Sequence, residues 1–94
     1  MNLEIAPLLP EDQNQWEILA RGYKDFYKTV TSDIEYKVAW NRLLAQDEVF
    51  GIGAKTNDRL VGFAHFLFHT STWAYSVCYL QDLFVAPDVR GHGV

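Results

Sequence analysis

The sequence predicts an α/β domain built in the order strand, two helices, then three strands in an antiparallel meander. Apolar residues between Trp16 and Val30 recur at three- and four-residue spacing, as one face of a helix requires. From Val49 onward the period becomes strand-like, and Asn57-Asp58 separates two apolar runs as a hairpin turn would.

Leu3, Ile5 and Pro7 alternate with other residues in a short opening strand, which Pro7 and Pro10 close. Pro10 fits the first turn of a helix, and Glu11 and Asp12 follow at the positive end of its dipole. The stripe Trp16, Leu19, Tyr23, Phe26, Tyr27 and Val30 carries that helix onward, weakened modestly by Gly22. Ser32 and Glu35 have capping-box spacing, so a second helix begins at Asp33, passes Val38, Leu43 and Leu44, and stops near Gln46. Val49 to Ala54 reads as a strand in which Gly51 and Gly53 mark a close approach on one face. Leu60 to His69 returns as its antiparallel partner, apolar on both faces and therefore central. A polar connection, Thr70 to Ser76, leads to the last strand, Val77 to Ala86.

The 94 residues allow one domain at most, or part of one. With 49% hydrophobic and 15% aromatic residues the chain must bury a core, which excludes a disordered polypeptide. Twelve acidic residues against eight basic ones leave no basic cluster for nucleic acid. An acidic surface suits a cationic substrate or simply confers solubility. Cys78 is the single cysteine, so no intrachain disulfide forms. With no basic-then-apolar start and no membrane-length apolar run, the expectation is a cytoplasmic protein with no membrane partner.

The stretch YLQDLFVAPDVRGHGV carries the chemistry. Two glycines separated by one residue let backbone N–H groups converge on phosphate oxygens, and Arg90 adds a fork of donors beside them. Taken alone such a tripeptide reads first as an ordinary surface turn, and its place after an apolar strand is what raises the anion site.

That strand and loop resembles the central motif of the GNAT superfamily of acetyl-CoA-dependent N-acyltransferases, whose pyrophosphate signature is R/Q-x-x-G-x-G/A. Arg90 and Gly93 match its first two defined positions, and the third would be residue 95. The opening order of elements is similar to the N-terminal half of that fold, so residues 1–94 are expected to form a partial GNAT domain that stops inside the pyrophosphate loop. The stretch from Leu60 to Gly93 most resembles the diamine and spermidine acetyltransferase branch and bacterial proteins related to histone acetyltransferases. The resemblance implies acetyl-CoA as co-substrate and a primary amine as acceptor: a polyamine or small cationic amine first, a protein lysine or N-terminal amine second. It implies that Leu83, Phe84 and Val85 pair with the pantetheine arm and polarise the thioester carbonyl through a backbone N–H. It implies that Arg90, Gly91, His92, Gly93 and Val94 hold the pyrophosphate. Polyamine-acetylating relatives carry a Glu-Asp pair where this chain has Gln81-Asp82. Glutamine cannot accept a proton, so Asp82 is the candidate base, directly or through water, with a buried or capping carboxylate as the alternative. On a regular strand Gln81 and Asp82 point to opposite faces, and a bulge would alter that. The general acid, a tyrosine in the family, falls outside these residues.

Tyr23, Asp25 and Tyr27, near the end of the first helix, border the acceptor pocket in the resembled fold, with core packing the alternative for the tyrosines and a solvated carboxylate for Asp25. His65 and His69 lie roughly 13 Å apart along their strand, too far to share a metal. Without a nearby carboxylate partner they read as structural. Cys78 reads as a buried, inert thiol, and Trp73 as a pocket wall or a staple for its loop. An alternative of a different class is a catalytically incomplete module. With the last strand's edge open and its apolar faces uncovered, such a chain self-associates as a homodimer or joins a partner that completes it.

Overall fold

The computed structural model describes residues 2–91. Strand β1 (Glu4–Pro7), helices α1 (Gln13–Phe26) and α2 (Asp33–Ala45), and strands β2 (Phe50–Thr56), β3 (Arg59–His69) and β4 (Val77–Val85) follow in the expected order. Short 3-10 turns at Pro10–Asp12 and Pro87–Val89 flank them. The four strands form one antiparallel sheet in the order β1-β2-β3-β4.

The helix boundaries follow from local chemistry. Ser32 Oγ accepts from the Glu35 N–H while the Glu35 carboxylate accepts from the Ser32 N–H, so two otherwise orphaned donors at the start of α2 are satisfied. Helix α1 ends earlier than its apolar stripe predicts. Lys28 adopts φ 54°, and the N–H groups of Lys28 and Thr29 turn back to the carbonyls of Asp25 and Lys24. This is the left-handed closure usually given to glycine. The β-branched Thr29-Val30-Thr31 run that follows is a poor helix former. Val30 consequently stands in solvent rather than in the core. Asn57 and Asp58, at φ 50° and 64°, make the two-residue hairpin turn between β2 and β3.

Both helices cover one face of the sheet, α1 over β3 and β4, α2 over β2. Trp16, Trp40 and Val61 are the most deeply buried large side chains, and the two indoles pack at 5.0 Å between centroids. Gly51 and Gly53 lie under this layer. A Cβ on Gly53 would stand 2.6 Å from Leu60 Cδ1 and 3.0 Å from Leu8 Cδ2, so the close approach read from the sequence is side-chain packing across the sheet. At the entry to α1, the buried Asp12 carboxylate holds Lys55 Nζ at 2.6 Å and accepts from the Leu9 N–H. The opposite face carries Ile52, Ala64, Phe66, Leu80 and Leu83, and no helix among the described residues covers it.

Three expectations are corrected. Cys78 is exposed, because its strand is the last of the sheet and its side chain lies on the uncovered face. Trp73 is 94% exposed and neither walls a pocket nor staples its loop. His65 does have a carboxylate partner, Asp82, contributed by the neighbouring strand.

Candidate functional site

A bulge in β4 builds the site. His65 pairs with Asp82, but the next pair is Phe66 with Leu80, leaving Gln81 as an extra residue. The alternation is thereby broken: Leu80 faces away from the helices, while Asp82 and Phe84 face them. Gln81, which regular alternation sends to the opposite face from Asp82, instead lines the same groove of about 220 Å3, together with His65 and Arg42.

Asp82 sits at the centre of a hydrogen-bonded chain. Tyr23, from α1, donates its hydroxyl to Oδ1 at 2.8 Å, and His65 Nδ1 lies 3.0 Å from Oδ2. The far ring nitrogen, Nε2, accepts the indole N–H of Trp16 at 3.0 Å. An indole nitrogen only donates, so Nε2 is the acceptor and the ring hydrogen resides on Nδ1, where it donates to Asp82. Phe63 stacks on the imidazole at 4.3 Å between centroids and fixes its plane. The bond from His65, seconded by that from Tyr23, holds the Asp82 carboxyl below its ordinary value against the opposing effect of partial burial. Burial, with the neighbouring carboxylate, pushes the Tyr23 hydroxyl up to about 12. Asp82 is therefore a persistent anion at neutral pH.

Two hollows border consecutive residues of β4. A cleft of about 380 Å3 opens between the helices, with Tyr23 and Lys24 from α1, Ile34 and Arg42 from α2, and His65 and Asp82 on its floor. Along β4, Leu83, Phe84 and Val85 border a second hollow of about 290 Å3 with Phe26, Tyr27 and Arg90. Asp82 lines the first and Leu83, the next residue, lines the second. At the end of this strand Arg90 Nε donates to the Val85 carbonyl at 2.9 Å, and its guanidinium lies 4.9 Å from the Phe84 ring centre. Gly91 follows at φ +87° with open space where a Cβ would be. His92, Gly93 and Val94 lie outside the described residues.

The structure thus brings together Gln81 and Asp82 in one place, and Leu83, Phe84, Val85 and Arg90 in another. Tyr27 stands with the second group, not beside Asp82. Asp25 is exposed and lies apart from the cleft's lining, with its carbonyl engaged in closing α1. As site residues, Trp16, Lys24 and Arg42 and the bond from His65 to Asp82 were not foreseen from the sequence. Helical spacing from Trp16 to Tyr23 was the available signal for the α1 contribution, but pairing His65 with Asp82 required the register across the bulge.

A profile of the Acetyltransferase (GNAT) family matches residues 13–94. The D-amino-acid N-acetyltransferase HPA3 of Saccharomyces cerevisiae is 32% identical over 95 residues, covering 96% of this chain and 58% of that protein. The solved structure of AAC(6')-Iy in complex with the bisubstrate analog CoA-S-monomethyl-acetylneamine superposes with a TM-score of 0.84 at 18% identity, over 100% of this chain and 64% of that one. A ribosomal-protein-alanine N-acetyltransferase from Brucella melitensis biovar Abortus 2308 does so with a TM-score of 0.79 at 22% identity, over 100% and 64%. The chain spans less than two thirds of the length of each of these three proteins.

Proposed function

Because the chain belongs to the acetyltransferase (GNAT) family, we propose that it takes part in transferring acetyl from acetyl-CoA to a primary amine bound in the cleft between α1 and α2. The observation that carries this reading is the adjacency of the two hollows at Asp82 and Leu83, which sets an amine-binding anion beside the strand assigned to the thioester. The far edge of β4 pairs with no other strand among the described residues, so its main-chain groups are available to an extended pantetheine arm. Arg90 and the open backbone at Gly91 supply donors suited to a pyrophosphate, which His92 to Val94 would extend. Acetyl-CoA supplies the activated acyl group.

The residues of this chain do the positioning. Asp82, held as an anion by His65 and Tyr23, draws the ammonium group into the cleft and orients it toward Leu83. A carboxylate stabilised in this way is a weak proton acceptor, so the amine's proton passes to water at the cleft mouth rather than residing on Asp82. The free amine then forms the C–N bond as the C–S bond breaks, and the proton lost by nitrogen balances the one gained by the departing thiolate. A cleft of about 380 Å3 fits a small acceptor better than a folded protein's lysine. The yeast relative, an N-acetyltransferase of D-amino acids, supports the small-molecule class. A polyamine would set its second ammonium against Lys24 and Arg42.

Thiol release by the full-length protein, measured with a panel of small primary amines, tests the reading. Release that requires both acetyl-CoA and an amine, and that falls roughly thirtyfold or more in Asp82→Asn, as for loss of one partner of a hydrogen-bonded charge pair, is the expected result. Equal release in Asp82→Asn, or none with any amine, would overturn it.

A further inference from the structure

Resting on the acetyltransferase reading of the cleft, we propose that Trp16 is a positioning residue for the amine: by occupying Nε2 of His65 it keeps the imidazole uncharged, so that Asp82 meets an ammonium group with its full negative charge. A carboxylate beside a histidine has two states. With both ring nitrogens protonated it forms an ion pair of no net charge, and with one protonated it keeps a full negative charge. Only the second state draws a cation from a distance.

The geometry selects the second state. The indole N–H donates to Nε2 at 3.0 Å, and an indole nitrogen has no lone pair to accept in return. A second ring proton would have to sit on Nε2, where it would face that N–H donor to donor. Trp16 has no room to turn aside for it, being 2% exposed with its ring against Trp40 at 5.0 Å between centroids. Turning away would also strand a buried indole donor. The imidazole is fixed as well, stacked on Phe63 with its other nitrogen on Asp82. The charged groups around the ring do not reverse this. Asp82, from β4, favours a second proton, but Tyr23 and Lys24 from α1 already act on that carboxylate, one by a hydrogen bond and one by its positive charge. On α2, Arg42 adds positive charge to the same cleft, the Glu35 carboxylate is engaged by Ser32, and Tyr36 lies under the Arg21 guanidinium. Strand β2 sets Gly51, which has no charge, opposite His65.

Two measurements on the full-length protein test this. Long-range proton–nitrogen NMR at neutral pH, with His65 assigned by its loss in His65→Gln, should show a hydrogen on Nδ1 and a bare Nε2. Trp16→Phe removes the donor, keeps an aromatic ring in the core, and should let Nε2 take up a proton. Relative to wild type, its KM for a small primary amine should then rise roughly tenfold from about pH 8 to about pH 6, with kcat changed far less; the pH span is that over which an imidazole ordinarily gains its charge, and the rise is the size of one hydrogen bond to a charged group. Lost packing alone has no such pH dependence. In a His65→Gln background, where no ring can charge, Trp16→Phe should add no pH dependence. Should Trp16→Phe fail to fold, the wild-type spectrum decides alone. A hydrogen on Nε2 or on both nitrogens in the wild type would overturn the inference, as would a Trp16→Phe effect that is equal at both pH values or a pH dependence that persists with His65→Gln. The expected spectrum without acetyl transfer to any amine would uphold the charge state and sink the acetyltransferase reading instead.

Discussion

The hydroxyl of Tyr23, on the first helix, donates to Oδ1 of Asp82, on the last strand, at 2.8 Å. This bond ties the helix layer to the bulge and leaves the carboxylate charged. Tyr23→Phe removes it while His65 still holds the other oxygen, so the fold should persist. The catalytic efficiency kcat/KM should fall roughly tenfold, as for loss of one hydrogen bond to a charged group. With one stabilising donor gone, the carboxyl rises toward its ordinary value, and the acid limb of the pH–rate profile should move to higher pH. A profile identical to wild type would show Tyr23 to be packing alone.

The depressed Asp82 carboxyl also makes a statement about stability. Its folded value lies below the ordinary 3.8, so its contribution is complete above 3.8 and is lost as pH falls through the folded value. Asp82→Asn should therefore be less stable than wild type at pH 6, and the gap should narrow below pH 3.8. Urea midpoints across that range measure it. A gap that stayed constant with pH would dissociate the bonds from the charge.

Gly53 is fixed by its neighbours rather than by its backbone. Leu60 and Leu8, both buried, stand 2.6 and 3.0 Å from where a Cβ would lie. Gly53→Ala should destabilise the domain by about 1–3 kcal/mol through overpacking, read from denaturant unfolding. Gly91→Ala meets no neighbouring atom and should cost less, through its positive φ alone.

Asp12 is buried with Lys55 at 2.6 Å. Lys55→Met leaves that carboxylate without its ion-pair partner and should cost about 3 kcal/mol or more. Adding Asp12→Asn should recover part of the loss, since the stranded charge is then gone. Additive losses in the double-mutant cycle would mean that the pair is not coupled.

The sheet face away from the helices, with Phe68 on β3 and Leu80 and Leu83 on β4 each more than half exposed, should make the 94-residue chain associate at raised concentration. Sedimentation velocity across a concentration series checks this. A monomer at every concentration contradicts it.

Much of the fold was legible because its signals are local. Ser32 and Glu35 mark the start of α2 with their own side chains, and Asn57-Asp58 tolerate the left-handed turn that makes the hairpin. The stripe on α1 was legible as far as Tyr23 and misleading beyond it. Phe26, Tyr27 and Val30 keep apolar character without burial, because Lys28 closes the helix and turns the chain away. The strand and loop assigned to the cofactor were likewise visible as sequence, since Leu83 to Val85 and Arg90 lie within one short stretch.

By itself, then, the sequence determined the order and kind of elements and the stretch where the chemistry lies, through periodicity, caps and turn residues that act over a few positions. Only the tertiary structure decided which face Asp82 presents and what holds it. One extra residue at Gln81 shifts the β4 register against β3 and brings Asp82 under the helices to meet His65 and Tyr23. The free energy that places a bulge belongs to the pairing of two strands and the packing of a helix above them. No residue in the single strand YLQDLFV records it.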